Sequence, residues 1–273
     1  AIAPAGAEAD RLRFQQDDPL DSAFCKPERR GQAGISAADD HDPRARITGQ
    51  RRVGHAGTLD PLATGLLIVC VGRPATRLID RFMAGGKTYR ALLQLGVETE
   101  TLDPEGQVVR TTPVPALTEE EIMSCLARFT GRQLQAPPSF SAVKHQGKPL
   151  YHYARQGIMI AKEPREIQIS SLLFGGYDPL AHQLAVDVAC SRGTYIRVLA
   201  EDIGRALGCG AHLFELRRLG SGCFSVAASL PGEALAGADG RQKLLAAMIP
   251  VAQAEAMLAA AAAVGEEEVA ATG

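Results

Sequence analysis

The stretch Gly54-His55-Ala56-Gly57-Thr58-Leu59-Asp60-Pro61-Leu62-Ala63-Thr64-Gly65 sets one imidazole and one carboxylate among three glycines, directly ahead of the apolar run Leu66 to Val71. Aspartate and histidine are side chains that supply nucleophilic, electrostatic and proton-transfer chemistry. Glycine permits backbone torsions closed to other residues and lets a ligand approach closely. A polar loop mounted on a strand is a frequent seat for such groups. The same residues fit a plainer reading, in which Asp60 caps a turn or short helix that Pro61 opens and His55 is an ordinary loop side chain. Local pattern leaves both readings open.

The elements that would position this loop follow from periodicity. Residues 1 to about 50 are polar, rich in Asp, Arg, Gly and Pro, and read as loop-like, with order beginning near Ile47. Leu66 to Val71 reads as a buried strand, Thr76 to Ala84 as a helix and Thr88 to Leu95 as an alternating strand. The turn Asp103-Pro104-Glu105-Gly106 leads into a short strand from Gln107 to Arg110. Thr118 and Glu121 form a capping box for a helix whose Ile122, Leu126 and Phe129 share a face and which Gly131 ends. An irregular basic stretch runs from Pro137 to Lys148, and a short helix from Tyr151 to Gln156 closes at Gly157. Strands are predicted at Glu166 to Phe174 and Gln183 to Cys190, then a helix from Tyr195 to Leu207 that stops at Gly208. Beyond Leu230 the chain is Ala-rich, with one amphipathic helix expected from Pro250 to Val264. This mixed order predicts an α+β domain.

A chain of 273 residues, 46% of them hydrophobic, can hold one large domain or two modest ones around a packed core. A net charge of -2 argues against polyanion binding through evenly spread charge. The charge is uneven: Gly131 to Gly220 carries eleven Lys and Arg against seven Asp and Glu, while Glu266-Glu267-Glu268 makes the tail acidic. A basic face on the central segment is one reading and a solvated surface the other. Cys25, Cys70, Cys125, Cys190, Cys209 and Cys223 show no Cys-x-x-Cys pair, so neither a zinc site nor a disulfide framework is expected. No apolar run approaches the roughly 20 residues that span a bilayer, and no signal-like start opens the chain, which predicts a cytoplasmic location. Gly85-Gly86-Lys87-Thr88 looks like the end of a phosphate-binding P-loop, but Arg81 stands where its first glycine belongs.

Gly54 to Leu67 closely resembles the central motif of the bacterial tRNA pseudouridine synthases of the TruB type. Lys87-Thr88-Tyr89-Arg90 is similar to that family's second motif, and Leu95-Gly96-Val97-Glu98-Thr99-Glu100-Thr101-Leu102-Asp103 to the segment after it. Pro138 to Lys144 and Leu150 to Gly157 resemble its substrate-side stretch. Cys190-Ser191-Arg192-Gly193-Thr194-Tyr195-Ile196-Arg197 is similar to the third motif, and Leu207 to Leu213 with Leu216-Arg217-Arg218 to the closing one. The matches stand in family order from about Ile47 to Leu230.

The resemblance implies an α+β pseudouridine-synthase fold, a mixed and mainly antiparallel sheet flanked by helices. It implies isomerisation of uridine to pseudouridine at position 55, in the TΨC loop of tRNA, with no metal and no organic cofactor. By resemblance Asp60 is the nucleophile, and Arg197 takes the place of a strand arginine that pairs with it, an adjacent guanidinium keeping a poorly solvated carboxylate charged. Tyr89 stacks on the target base with its hydroxyl set for proton transfer, and Tyr195 and Leu216 complete the pocket. His55 enters the space left by the flipped nucleotide, and Arg77, Lys144, Lys148, Arg217 and Arg218 are candidates for phosphate contacts. The implied partner is the TΨC stem-loop of tRNA, with no membrane, no obligate protein partner and a monomeric state. Each residue also has a plainer role: Tyr89 as core, Arg197 paired with Glu201 or Asp202 on its own helix, Leu216 as an apolar helix residue.

The family usually opens with an apolar strand, Lys-Pro, Gly and a Thr-Ser-His type segment, whereas here only Phe24-Cys25-Lys26-Pro27 is similar and Arg29-Arg30-Gly31 departs. Phe140 stands where tyrosine is usual. The expected organisation is a degenerate N-terminal segment (1–46), a catalytic domain (47–230) and an Ala-rich segment (231–273) without an RNA-binding PUA domain. The competing readings are a catalytically impaired RNA-binding or RNA-folding protein of the same fold and, more remotely, an unrelated hydrolase that uses Asp60.

Overall fold

The structure, a computed structural model, describes residues 52–235 and 238–271. The readings made on the first fifty residues, Lys26 and the onset of order at Ile47 included, lie outside the described residues. The chain runs through β1 Val53–Ala56, β2 Ala63–Gly65, β3 Ile68–Val71, α1 Gly72–Thr76, α2 Ile79–Ala84, β4 Lys87–Leu95, β5 Val97–Thr99 and β6 Val108–Thr111. It continues with α3 Glu119–Ala127, β7 Gly131–Gln135, β8 Lys144–His145, β9 Lys148–Pro149, α4 Leu150–Ala154, β10 Arg165–Asp178 and β11 Gln183–Cys190. After them come α5 Ile196–Ala206, β12 Ala211–Ser221, β13 Phe224–Ser225, α6 Gly240–Ala247 and α7 Val251–Ala271.

Seven strands make the main sheet, in the order β13-β12-β4-β11-β10-β7 with β2 added parallel to β12. Its other pairings are antiparallel. This is the expected α+β architecture, a mixed and mainly antiparallel sheet flanked by helices. Period-two alternation sends Ala91, Leu93 and Leu95 of β4 and Leu184, Val186, Val188 and Cys190 of β11 to one face. Ile122 and Leu126 of α3 and Ile196, Leu199, Ala200 and Ile203 of α5 cover that face, the α5 set at the i, i+3, i+4, i+7 spacing of one helical stripe. A second, smaller core packs Ala56, Cys70, Leu78 and Phe82 against Ala254 of α7. Phe82 and Phe224 meet edge to face at 5.6 Å within it.

Several elements differ from the sequence reading. β12 was not anticipated, because a bulge between Leu213 and Glu215 shifts its register and puts both Leu213 and Leu216 into the main core. A spacing of three imitates a helix, and Leu216 is a strand residue. The helix read from Thr76 to Ala84 starts only at Ile79, as α2; Thr76 ends the preceding α1, and the chain breaks between them at Arg77 and Leu78. The break lets Leu78 turn into the second core. The strand read from Leu66 is shorter, and within β3 only Cys70 is buried, because β3 pairs with β1 rather than joining the main sheet. Gly131 opens β7 instead of ending α3, which stops at Ala127. The capping box is present: the Glu121 N–H donates to Thr118 Oγ1 at 3.2 Å and the Thr118 N–H to Glu121 Oε2 at 2.8 Å.

Close approach at the end of α5 sets up a test. A Cβ on Gly204 would lie 2.3 Å from the Ala211 nitrogen and 2.4 Å from the Gly210 carbonyl carbon, both backbone. Helix propensity alone favours Gly204→Ala by about 1 kcal/mol. Overpacking against main chain outweighs this, so the substitution should destabilise the protein by roughly 1–3 kcal/mol in urea unfolding. A raised unfolding midpoint would show that the junction of α5 and β12 has room for a methyl group at Gly204.

Candidate active site

β1 ends at Ala56, and the chain turns through Gly57 to β2, closed by the Ala63 N–H donating to the Asp60 carbonyl at 2.9 Å. Leu59 and Leu62 pack on the main core on either side. Their burial leaves the Asp60 carboxylate at the rim, with its side chain 35% exposed. No helix starts at Pro61, and the carboxylate does not serve as a cap. It meets Arg197, 137 residues further along the chain.

Arg197 lies in the first turn of α5, inside the helix predicted from Tyr195 to Leu207, and its side chain is 5% exposed. Nε donates to Asp60 Oδ2 at 2.8 Å and Nη2 to Asp60 Oδ1 at 3.2 Å, a two-point contact. Nη2 also donates to the Phe140 carbonyl and Nη1 to the Thr101 carbonyl, both at 2.9 Å. Asp103 Oδ2 stands 3.5 Å from Nη1, and this second carboxylate is only 7% exposed. Asp103 is held in turn by the Glu105 N–H at 3.1 Å and by the Thr101 hydroxyl. Removing one partner of a buried ion pair costs roughly 3–5 kcal/mol, because the other charge is left stranded. The guanidinium therefore holds the Asp60 turn, the 101–103 turn and the Phe140 segment to α5. Its partners are not Glu201 or Asp202 of its own helix; Glu201 pairs with Arg205.

Tyr89 on β4 stands opposite Arg218 on β12, and Leu216 opposite Ala91 of β4 and Ala63 of β2. Tyr89 packs against the main core, which includes Leu216. Tyr195 is the residue before α5, two positions ahead of Arg197. Buried Gln135 fixes it from both sides, accepting from the Tyr195 N–H at 2.7 Å and donating to its carbonyl at 3.1 Å. His55 is half-buried on β1, opposite Val69. Burial pushes the Tyr89 phenol up to about 12, and the charge of Arg218 partly offsets the rise. Burial likewise raises Tyr195. Both shifts favour the protonated phenol.

The basic candidates divide. Lys144 and Lys148 are exposed on the β8–β9 hairpin, the form taken by the stretch read as irregular, and Arg77 is exposed between α1 and α2. Arg217 projects to the sheet face opposite Leu216 and Arg218, beside Arg90 of β4. Arg218 is 2% exposed and spends its guanidinium on backbone carbonyls, which corrects its reading as a phosphate contact. The sequence reading gave no role to Gln135, Thr101 or Asp103; the only signal for the last two was their place in a segment that resembles the family. Among the described residues no group of three His, Cys, Asp or Glu side chains is arranged to hold a metal ion, and no single helix is long and apolar enough to cross a membrane. A groove of about 580 Å³ between α3 and the end of α5 contains none of these site residues. The partly exposed Asp60 carboxylate lies outside this groove.

Residues 45–196 match the model for the TruB family pseudouridylate synthase N-terminal domain, and residues 197–254 that for the tRNA pseudouridylate synthase B C-terminal domain. The boundary between the two matches falls inside α5, between the core residue Ile196 and Arg197. The tRNA pseudouridine synthase B of Desulfotalea psychrophila is 51% identical over 209 residues, 76% of this chain and 85% of that one. The Bordetella avium protein of the same name is 46% identical over 240 residues, 85% of this chain and 94% of the relative. Among solved structures, a chain in the crystal structure of a Cbf5-Nop10-Gar1 complex aligns with a TM-score of 0.57 at 26% identity, covering 77% of this chain and 55% of that one.

The phenol of Tyr89 gives a measurable signature. A pKa raised from 10.0 to about 12 favours the protonated form in the folded state. Its contribution to stability is therefore complete below pH 10 and is lost as pH rises from 10 to 12. In difference absorbance between the unsubstituted protein and Tyr89→Phe, the missing phenolate band should grow in near pH 12, and the stability advantage over the variant should shrink across that window. A band that grows in at or below pH 10 would place Tyr89 in contact with water rather than inside the site.

Proposed function

The chain belongs to the TruB family of pseudouridylate synthases, and from that premise we propose that it converts uridine 55 in the TΨC loop of tRNA to pseudouridine, with Asp60 as the nucleophile. The observation that carries the proposal is the two-point contact of buried Arg197 with the Asp60 carboxylate, made across 137 residues at the rim of the sheet. Isomerisation breaks the bond between uracil N1 and the ribose, turns the base and rejoins it through carbon 5. The proton on carbon 5 is lost and N1 gains one, so the net change is zero and no cofactor is required. Asp60 attacks the nucleoside or stabilises the separated fragments, and Arg197 holds the carboxylate ionised and in place.

A uridine inside a folded loop must leave its stack before Asp60 can reach it, at a cost of a few kcal/mol. Stacking on an aromatic ring returns roughly 1–3 kcal/mol. Tyr89 offers that ring from β4, with its hydroxyl in line for proton transfer, while Leu216 and Tyr195 bound the pocket. His55, on the strand that leads into the Asp60 turn, enters the gap that the base leaves. The Asp60 carboxylate, with its side chain 35% exposed, is within reach of a base presented by a macromolecular substrate. A tRNA substrate places this work in the cytoplasm, and the Lys144 and Lys148 hairpin is the element offered to its phosphates.

The assay is tritium release from carbon 5 of uracil on an unmodified tRNA transcript, with a transcript carrying cytidine at position 55 as the control. Release from the first and none from the second is expected. Tight binding without release would favour the RNA-binding, RNA-folding reading. Asp60→Asn should lower turnover at least a thousand-fold while tRNA affinity stays within a few-fold, since Asp103 continues to balance Arg197. Retained turnover would remove Asp60 from the reaction. Lys144→Ala with Lys148→Ala should flatten the slope of log affinity against log salt by about 1.4 if both touch single-stranded phosphates, at about 0.7 each, without changing the unfolding midpoint. An unchanged slope would move the RNA-facing charge elsewhere.

A further inference from the structure

Arg218 belongs to a stretch whose charge suggests contact with RNA, yet the side chain is sealed from solvent at 2% exposure. Nε donates to the Leu66 carbonyl at 2.8 Å, Nη2 to the Gly57 carbonyl at 3.2 Å and Nη1 to the Thr58 carbonyl at 3.4 Å. Those three carbonyls bracket Asp60 in the chain, two before it and one after. The main chain of Arg218 closes the same turn, because its carbonyl accepts from the Leu66 N–H at 2.8 Å. β2 and β12 run so close there that a Cβ on Gly65 would lie 2.2 Å from the Arg218 oxygen, and Gly65 adopts a φ of +94°. On its other side Arg218 is the ladder partner of Tyr89, and its charge opposes the burial that raises the phenol. Of the groups that face that phenol, Asp60 and Cys190 act in the opposite sense to Arg218.

One buried side chain thus reaches both elements that meet the base. We propose that Arg218 is a positioning residue that locks the Asp60 turn to the Tyr89 strand, and that it makes no contact with RNA. The proposal rests on the reading of Asp60 and Tyr89 as the reacting pair. A misplacement of about 1 Å at a reacting centre can cost on the order of a hundred-fold in rate. A phosphate contact, by contrast, acts on affinity and on its salt dependence.

The test compares Arg218→Ala, Arg218→Lys and the unsubstituted protein, with folding checked by circular dichroism and thermal unfolding. For Arg218→Ala, kcat on the tRNA transcript should fall about a hundred-fold, while Kd stays within three-fold and the salt slope is unchanged. Guanidinium chloride at tens of millimolar should restore at least ten-fold of the lost kcat, whereas ammonium chloride at the same concentration should not. A role confined to stability would not respond to guanidinium in this way. Arg218→Lys keeps the charge but cannot span three carbonyls, so its kcat should fall at least ten-fold even if the alanine variant fails to fold. Hydrogen exchange over residues 57–66, faster in Arg218→Lys with the remaining sheet unchanged, reads the lock without any turnover. A folded variant with kcat within three-fold of the unsubstituted protein, a salt slope flattened by about 0.7, or equal exchange over 57–66 would each overturn the proposal. Absence of tritium release from the unsubstituted protein, with faster exchange in Arg218→Lys, would leave the lock standing and reject the assigned reaction.

Discussion

A guanidinium with 5% of its side chain exposed is tolerable only where its N–H groups meet acceptors, and this condition at Arg197 organises the site. The acceptors come from segments that share no local structure: the Asp60 turn, the 101–103 turn and the chain at Phe140. Each of these segments has anchors of its own, and the Arg197 guanidinium is the group that all three share. Asp103 gives the arrangement its balance, since one guanidinium stands between a buried carboxylate and a rim carboxylate. The rim carboxylate can then face a substrate without leaving a buried cation alone.

The sheet supplies the frame in which such a contact can form. β4 and β12 lie side by side and carry Tyr89, Leu216 and Arg218 on the face that α3 and α5 cover, while β2 brings the end of the Asp60 turn alongside β12. The bulge at Leu213 shifts the register so that Leu216 and Arg218 point inward and Arg217 outward. Without that shift the same residues would face the wrong way. The second core, built by β1, β3, α2 and α7, holds the other end of the turn. The turn is therefore anchored in two hydrophobic clusters and left exposed only between them.

The direction of the basic side chains bears on the modest net charge of -2. Arg197 and Arg218 point inward and bind carboxylates and carbonyls, and Lys87 is buried with its ammonium on the carbonyls of Met83 and Gly85. Burial lowers that ammonium, and nearby Arg218 and Arg192 add to the effect. Cations that look like an RNA-binding set in a linear reading are partly structural. In the proposed function the charge that meets phosphate is carried by exposed groups such as Lys144 and Lys148, and it acts mainly on the rate and salt dependence of association.

Much of the fold was legible in the chain itself. Alternation marked β4 and β11, the apolar stripe marked α5, and Thr118 with Glu121 marked the start of α3, because each of these signals depends only on neighbours within a few residues. The family was legible too, since its motifs are runs of consecutive residues. β12 was missed because a bulge breaks the period on which strand recognition depends, and β7 because Gly131 serves a helix end and a strand start equally well in sequence. What tertiary structure alone decided was partnership and direction. The resemblance implied the Arg197–Asp60 pair but left Glu201 and Asp202 open; that the pair forms, that Asp103 stands behind it, and that of two adjacent arginines Arg218 turns inward and Arg217 outward are consequences of long-range pairing and strand parity, which no local window of the chain contains.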